Sequence, residues 1–205
     1  MAEEESSSNN PSSFLQTIPL EHIPPTHTVH IALFKDVTNA DFLHRQLLAR
    51  NSEFEYAFID AEVITSQTHI LSAVFRAIVG DKTRKTANVH SEIVISLSSS
   101  NNISEAYRRY GITGSSKHIL VVKVLSPEND DDVTKGDVER HLRDHVKGTP
   151  VPFTDEMLAE LVDWGRVRKY YKLNGVGWLD GIKDVAVKDA ELHALMLGGM
   201  ALRGI

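Results

Sequence analysis

Residues 92–125 constrain the possible folds of this 205-residue chain more than any other stretch. Residues 92–97 read Glu-Ile-Val-Ile-Ser-Leu, so Ile93, Ile95 and Leu97 alternate with Glu92, Val94 and Ser96. That two-residue period predicts a strand whose faces differ in burial. A helix marked at both ends should follow. Asn102 can cap its first turn, with Glu105 three residues on as in a capping box. Ile103, Ala106, Tyr107 and Tyr110 fall at i, i+3, i+4 and i+7, one apolar stripe for a core. Arg108 and Arg109 sit where cations suit the helix dipole, and Gly111-Ile112 predicts a left-handed stop. Residues 119–125 are apolar except for Lys123, as in a strand buried on both faces. Strand, helix and strand in this order predict a right-handed crossover between parallel neighbours.

The flanking segments supply the remaining elements. Residues 1–13 are rich in Glu, Ser and Asn without periodicity, an expected disordered tail ahead of a single domain over 14–205. Residues 14–20 suit an edge strand, and Pro24-Pro25 breaks the chain. Strands are expected at 29–34 and 56–59, with a helix between them capped by Thr38 and running to about residue 50. A second helix starts near Thr65 or Ser66, buries Ile70, Leu71, Val74, Phe75 and Ile78, and stops at Gly80. Residues 127–132 read as a solvated acidic loop. Helices are then expected at 137–147, after Thr154, at 164–171, and from about 185 to 203. In the last one Gly198 and Gly199 cost roughly 2 kcal/mol of propensity. The fold class is α+β, with a mixed sheet of about four or five strands covered by helices and a helix at the C-terminus.

A net charge of −6 argues against a surface that coats nucleic acid throughout, though it leaves room for a local basic patch. The chain has no Cys, so neither disulfides nor Cys-based zinc sites are available, as in a protein of a reducing compartment. No apolar run approaches the ~20 residues that span a bilayer, and the acidic N-terminus does not read as a signal peptide. A soluble, intracellular protein without a membrane partner is expected.

Several residue groups could carry chemistry. The 98–102 turn, from Ser98 to Asn102, offers hydroxyls and free helix amides to a phosphate, against the plainer reading of a capped turn. Residues 111–117 lack phosphate-loop spacing and lie between a helix end and a strand, the reverse of what that loop needs. His141 and His145 are spaced for a shared metal, but no third ligand is indicated, and two solvent-facing histidines are the simpler expectation. No nucleophile elbow, dinucleotide loop or paired-carboxylate signature appears, so no catalytic residues and no cofactor are expected. Lys82, Arg84 and Lys85 form a compact basic cluster near Asn88 and His90. Arg166, Arg168, Lys169 and Lys172 interleave with Trp164, Tyr170 and Tyr171, a composition suited to stacking bases and holding phosphates. Both clusters have a plain alternative, cations in water over a packed core. The strand expected at 92–97 would hold the 98–102 turn on the order of 20 Å from the first cluster. Residues 194–202 are all Ala, Leu, Met or Gly, apolar on every side, so they need cover on more than one side. Leu192, Leu195 and Met196 can pack on the sheet, leaving Leu197, Met200, Ala201 and Leu202 for a partner or for other parts of the chain.

Glu92-Ile93, the run Asn101-Asn102-Ile103-Ser104-Glu105-Ala106, and Gly111-Ile112 together resemble the kinase-binding small subunit of the KEOPS (EKC) complex. Leu33-Phe34-Lys35-Asp36-Val37 with Asn39-Ala40, and Tyr171-Lys172-Leu173, extend the resemblance over roughly residues 29–202. Departures are the longer N-terminus, the acidic loop near Asp130 and the insertion at 175–181. That complex makes threonylcarbamoyladenosine at position 37 of tRNAs reading codons that begin with A. The resemblance implies a non-catalytic subunit that binds and regulates the small atypical protein kinase of the complex. It implies an indirect tie to the threonylcarbamoyl-transferring subunit, and tRNA contact at the 3′ CCA end. It supplies tRNA as the ligand of the basic cluster Lys82, Arg84 and Lys85, with Asn88 and His90, and the kinase as the partner of Leu197, Met200, Ala201 and Leu202. Nucleus and cytoplasm, telomeres included, are the implied locations. The rival readings are a small nucleotide- or metabolite-handling enzyme using the 98–102 turn, and a scaffold without RNA contact.

Overall fold

Two apolar strands of matching length hold the molecule together. In the computed structural model, which describes residues 13–80, 84–127, 130 and 132–203, the sheet comprises Gln16–Ile18 (β1), Thr28–Lys35 (β2), Ala57–Asp60 (β3), Ile119–Leu125 (β4) and Thr149–Val151 (β5). The tail expected at the N-terminus lies, up to residue 12, outside the described residues. The order of the sheet is β1-β2-β4-β3, with β5 sharing the outer edge of β2 with β1. Every pairing among the described residues is antiparallel. β2 and β4 pair from Thr28↔Leu125 to Phe34↔Ile119. Pro150 lies in β5, at an edge, where its missing amide leaves no ladder bond unmade.

The helices are Ala40–Leu48 (α1), Gln67–Val79 (α2), Val89–Ser96 (α3), Ile103–Tyr110 (α4), Lys135–His145 (α5), Asp155–Leu161 (α6), Trp164–Tyr170 (α7), Gly177–Asp180 (α8) and Val185–Ala201 (α9). They lie on both faces of the sheet, which is why β2 and β4 show no polar face. Val29, Ile31, Leu33, Leu120, Val122 and Val124 share one core with α2, α3, α6, α7 and α9. Ala32, Phe34, Ile119 and Val121 share the other with α1 and α5. Helix starts follow local chemistry. Ser66 accepts from the His69 amide (3.1 Å), Asn102 from Glu105 (3.0 Å) and Thr154 from Met157 (3.3 Å). Thr38 does not cap α1. Its amide donates to Lys147 O, and Asn39 clips α1 to the end of α5 through His145 O and the Lys147 amide.

The α+β class, the strand number and the C-terminal helix stand as expected. The segment at 92–97 does not: it is the body of α3, a helix rather than a strand. Ile93, Val94, Ile95 and Leu97 are all buried, so the alternation carries no facial information. A short apolar run inside a core has no period that separates helix from strand. Asn88 decides the case by accepting from the Ser91 amide (2.8 Å) and starting a helical turn. With that strand gone the described residues hold no parallel crossover, and their sheet is antiparallel instead of mixed. Gly111 ends α4 in an extended conformation rather than a left-handed one. It is needed for close approach, because a Cβ there would lie 2.7 Å from Tyr107 O. Of the α4 stripe, Ala106 and Tyr110 are buried while Ile103 and Tyr107 face solvent. Phe75 likewise points outward from α2.

Candidate functional surfaces

The basic loop before α3 is a braced element. The Lys85 amide donates to Glu92 Oε2 (3.1 Å), and the Thr86 hydroxyl lies 2.9 Å from the same oxygen. The Lys85 ammonium reaches outward and meets Asn101 Oδ1 at 3.3 Å. Because 92–97 is helical, the 98–102 turn therefore sits beside this loop instead of a strand's length away. Asn88 spends its carbonyl on the α3 cap. Arg84 is half-buried. Lys82 lies outside the described residues.

His90 is only 4% exposed, and the Val124 amide donates to its Nε2 (3.0 Å). A neutral ring then carries its proton on Nδ1, which faces a Glu55 carboxylate oxygen 3.9 Å away. Burial pushes the ring's pKa below its ordinary value, while Glu55 opposes that shift. In this position His90 supports the strand–helix junction and does not present its ring to solvent. Glu55, Arg84, Asn88, His90, Lys123 and Asp130 line a cavity of about 40 Å³ under the loop. Asp130 is not part of a solvated acidic loop: its carboxylate folds inward onto Lys123 Nζ (2.8 Å). That pairing explains how a lysine is accommodated in β4.

The second basic group is largely consumed within the fold. Arg166 pairs with Asp60 (2.8 Å) and Glu62 (2.9 Å) and lies over the Tyr170 ring, and its Tyr170 and Asp60 contacts keep it firmly protonated. Arg168 pairs with Asp180. Tyr171 is buried, where its hydroxyl lies 2.8 Å from His69 Nε2 and donates to Leu97 O. Lys169 and Lys172 remain exposed.

The end of α9 is divided between core and surface. Leu192, Met196 and Met200 turn inward at successive i+4 spacings. Met200 is 2% exposed, Leu197 half-buried and Ala201 exposed, while Leu202 is 66% exposed. Gly199 packs near Ser99 of this same chain, with 3.4 Å between a built Cβ and the serine Cβ. Arg76 of α2 donates to Met200 O and to Arg203 O (2.6 Å), fastening the two helices. Phe75 (37% exposed) and Val79 (55%) flank Arg76 on α2. The two helices fastened by Arg76 thus each carry exposed apolar side chains, Phe75 and Val79 on α2 and Leu202 at the end of α9.

The remaining candidates resolve into structural roles. In the 98–102 turn, Ser98 and Ser100 accept from the backbone amides of Ser100 and Asn102, so those hydroxyls serve their own turn. His141 and His145 are half-buried rather than solvent-facing. Phe54 packs against both rings, and His141 Nδ1 lies 3.0 Å from the Tyr56 hydroxyl. Among the described residues no group of three or more His, Asp or Glu could hold a metal ion. No described helix is long and apolar enough to cross a membrane.

The chain is thus a small α+β protein with exposed apolar side chains on α2 and at the end of α9 and a basic loop ahead of α3. Residues 34–204 match the family of the kinase binding protein CGI-121, and the chain belongs to that family. It is 52% identical over 195 residues to EKC/KEOPS complex subunit CGI121 of Gibberella zeae, spanning 93% of this chain and 99% of the relative. It is 48% identical over 205 residues to EKC/KEOPS complex subunit cgi121 of Neurospora crassa, with the same two coverages. The namesake of Schizosaccharomyces pombe is 36% identical over 152 residues, 73% of this chain and 84% of that protein.

Proposed function

We propose that this protein is a non-catalytic EKC/KEOPS subunit that docks on and regulates the small atypical kinase of the complex through the rim of Phe75, Val79 and Leu202. The supporting observation is family membership across most of the chain combined with exposed apolar side chains where α2 meets the end of α9. Leu197, half-buried, and Ala201, exposed, belong to the same docking surface in this reading, whereas Met200 is buried. In the same reading, Lys85 and Arg84, with Lys82, hold phosphates of tRNA near its 3′ CCA end, while Asn88 and His90 keep the loop in shape. The protein thereby aids threonylcarbamoyladenosine formation at position 37, the transfer itself belonging to a partner subunit. Nucleus and cytoplasm are the proposed locations.

Two substitutions test the docking surface. Leu202→Glu should leave the fold intact, with stability changed by no more than about 0.5 kcal/mol, and abolish co-purification with the kinase. Met200→Glu should cost about 3 kcal/mol or more through a buried unpaired charge, lowering the denaturation midpoint. Kinase capture by folded Leu202→Glu at wild-type strength, repeated with Phe75→Glu and Val79→Glu, would remove the rim from the interface.

A further inference from the structure

Glu92 and Arg203 join the two surfaces described above. The Arg203 side chain is 4% exposed, donates to Ile95 O, and lies 3.6 Å from Glu92 Oε1. The other carboxylate oxygen of Glu92 receives the Lys85 amide (3.1 Å) and the Thr86 hydroxyl (2.9 Å). At the far side, Arg76 holds the carbonyls of Met200 and of Arg203 itself. A continuous series of polar contacts therefore runs from the residues around Leu202, through Arg203 and Glu92, into the backbone that carries Lys85.

The chemistry makes these contacts mutually dependent. Burial and the neighbouring Arg76 both work against the charge on Arg203, and Glu92 favours it. Displacing either partner leaves a buried charge without its counterion, which is far costlier than losing an exposed pair. The Thr86 hydroxyl also lies 3.0 Å from Asn88 O, so it bridges the Glu92 carboxylate and the residue that caps α3. The position of Arg203 thereby bears on the loop through Glu92.

We propose that Arg203 and Glu92 are positioning residues that couple kinase docking at the end of α9 to tRNA binding by the basic loop. Covering Leu202 keeps Arg203 in place, Arg203 keeps Glu92 oriented, and Glu92 holds Lys85 and Thr86 in the binding arrangement. This rests on the function proposed above. The coupling is reciprocal, so tRNA tightens the kinase by the same factor that the kinase tightens tRNA, about 5-fold or more at the low end of allosteric couplings.

The test uses the full chain with its kinase and tRNA. Because Arg203→Ala and Glu92→Gln each leave the other buried charge without its counterion, the primary variant is Thr86→Val, and Glu92→Gln is compared once its denaturation midpoint shows it folded. In the wild type, saturating kinase should lower the tRNA dissociation constant about 5-fold or more and slow hydrogen exchange at the Lys85 amide. In Thr86→Val the gain should shrink to less than about 2-fold, with kinase affinity alone unchanged. Glu92→Gln should show the same loss and faster exchange at Lys85 without any ligand. Two ligands that both bind the wild type but ignore one another overturn the coupling and leave the function standing. Coupling undiminished in both variants overturns the route through Glu92. If Lys85→Ala leaves tRNA binding unchanged, or the kinase does not bind, the function itself falls and the coupling with it.

Discussion

The loop around Lys85 and the segment around Arg166 are both rich in cations but differ in their electrostatic surroundings. In the second segment, Asp60, Glu62 and Asp180 converge from distant parts of the chain and neutralise Arg166 and Arg168. In the loop, Glu92 binds the backbone instead, and the Lys85 ammonium meets the neutral side-chain amide of Asn101. A basic cluster becomes a phosphate-binding candidate when the fold leaves some of its charge unspent. Local density of Lys and Arg does not decide it.

Acid provides the harshest way to break this comparison. His69 anchors Tyr171 of the second segment, and burial, with a smaller effect of His193, pushes its pKa down to about 3. The unfolded chain binds that proton near pH 6.5 while the native state refuses it. Stability is therefore full above about pH 6.5 and declines as pH falls toward the folded value, by up to about 1.4 kcal/mol per unit. His69→Gln should flatten the denaturant midpoint against pH between about pH 6 and 4; an unchanged slope would exclude His69 as the acid-labile group. His30, lowered to about 4 by burial and Lys135, adds to the same decline in the wild type.

Arg166→Ala tests the spent cluster. It leaves the carboxylate of Asp60, only 7% exposed, without its cation. The expected loss is about 2 kcal/mol, below the roughly 3–5 of a fully buried pair because Arg166 itself is 31% exposed. Tyr170 also loses the guanidinium over its ring. Chemical denaturation should report the loss, and tRNA affinity at permissive temperature should not follow it.

Lys85→Ala carries the smallest structural effect, within about 0.5 kcal/mol, because the side chain is exposed and its amide bond to Glu92 survives. Its signature lies in binding. The slope of log K against log salt for tRNA should become shallower by about 0.7–0.9 for each phosphate that is no longer neutralised. The same measurement on Lys169→Ala, an exposed lysine of the spent segment, should show no such change. If Lys169 rather than Lys85 alters the slope, the comparison is reversed.

Much of the architecture was legible because it rests on contacts three or four residues apart. Ser66, Asn102 and Thr154 cap their helices as their spacing implies. The runs at 29–34 and 119–125 lie in strands of eight and seven residues, buried because helices cover both faces of the sheet. The run at 92–97 was misleading since total burial erases the period by which helix and strand differ. Its error carried into the sheet direction and into the supposed separation of Lys85 from the 98–102 turn, which the Asn101 contact removes.

The sequence by itself determined the helix starts at Ser66, Asn102 and Thr154, the two long strands, the basic loop and the kinship with kinase-binding proteins, all properties of short-range order along the chain. Tertiary structure alone decided which cations are neutralised, that Met200 is inside while Leu202 is outside, and that Glu92 meets Arg203. Those outcomes depend on groups far apart in the chain, such as Arg166 with Asp60 and Arg203 with Ile95, more than 100 positions in each case. Electrostatic and packing energies act through space, and no local pattern records which distant residue will arrive to complete them.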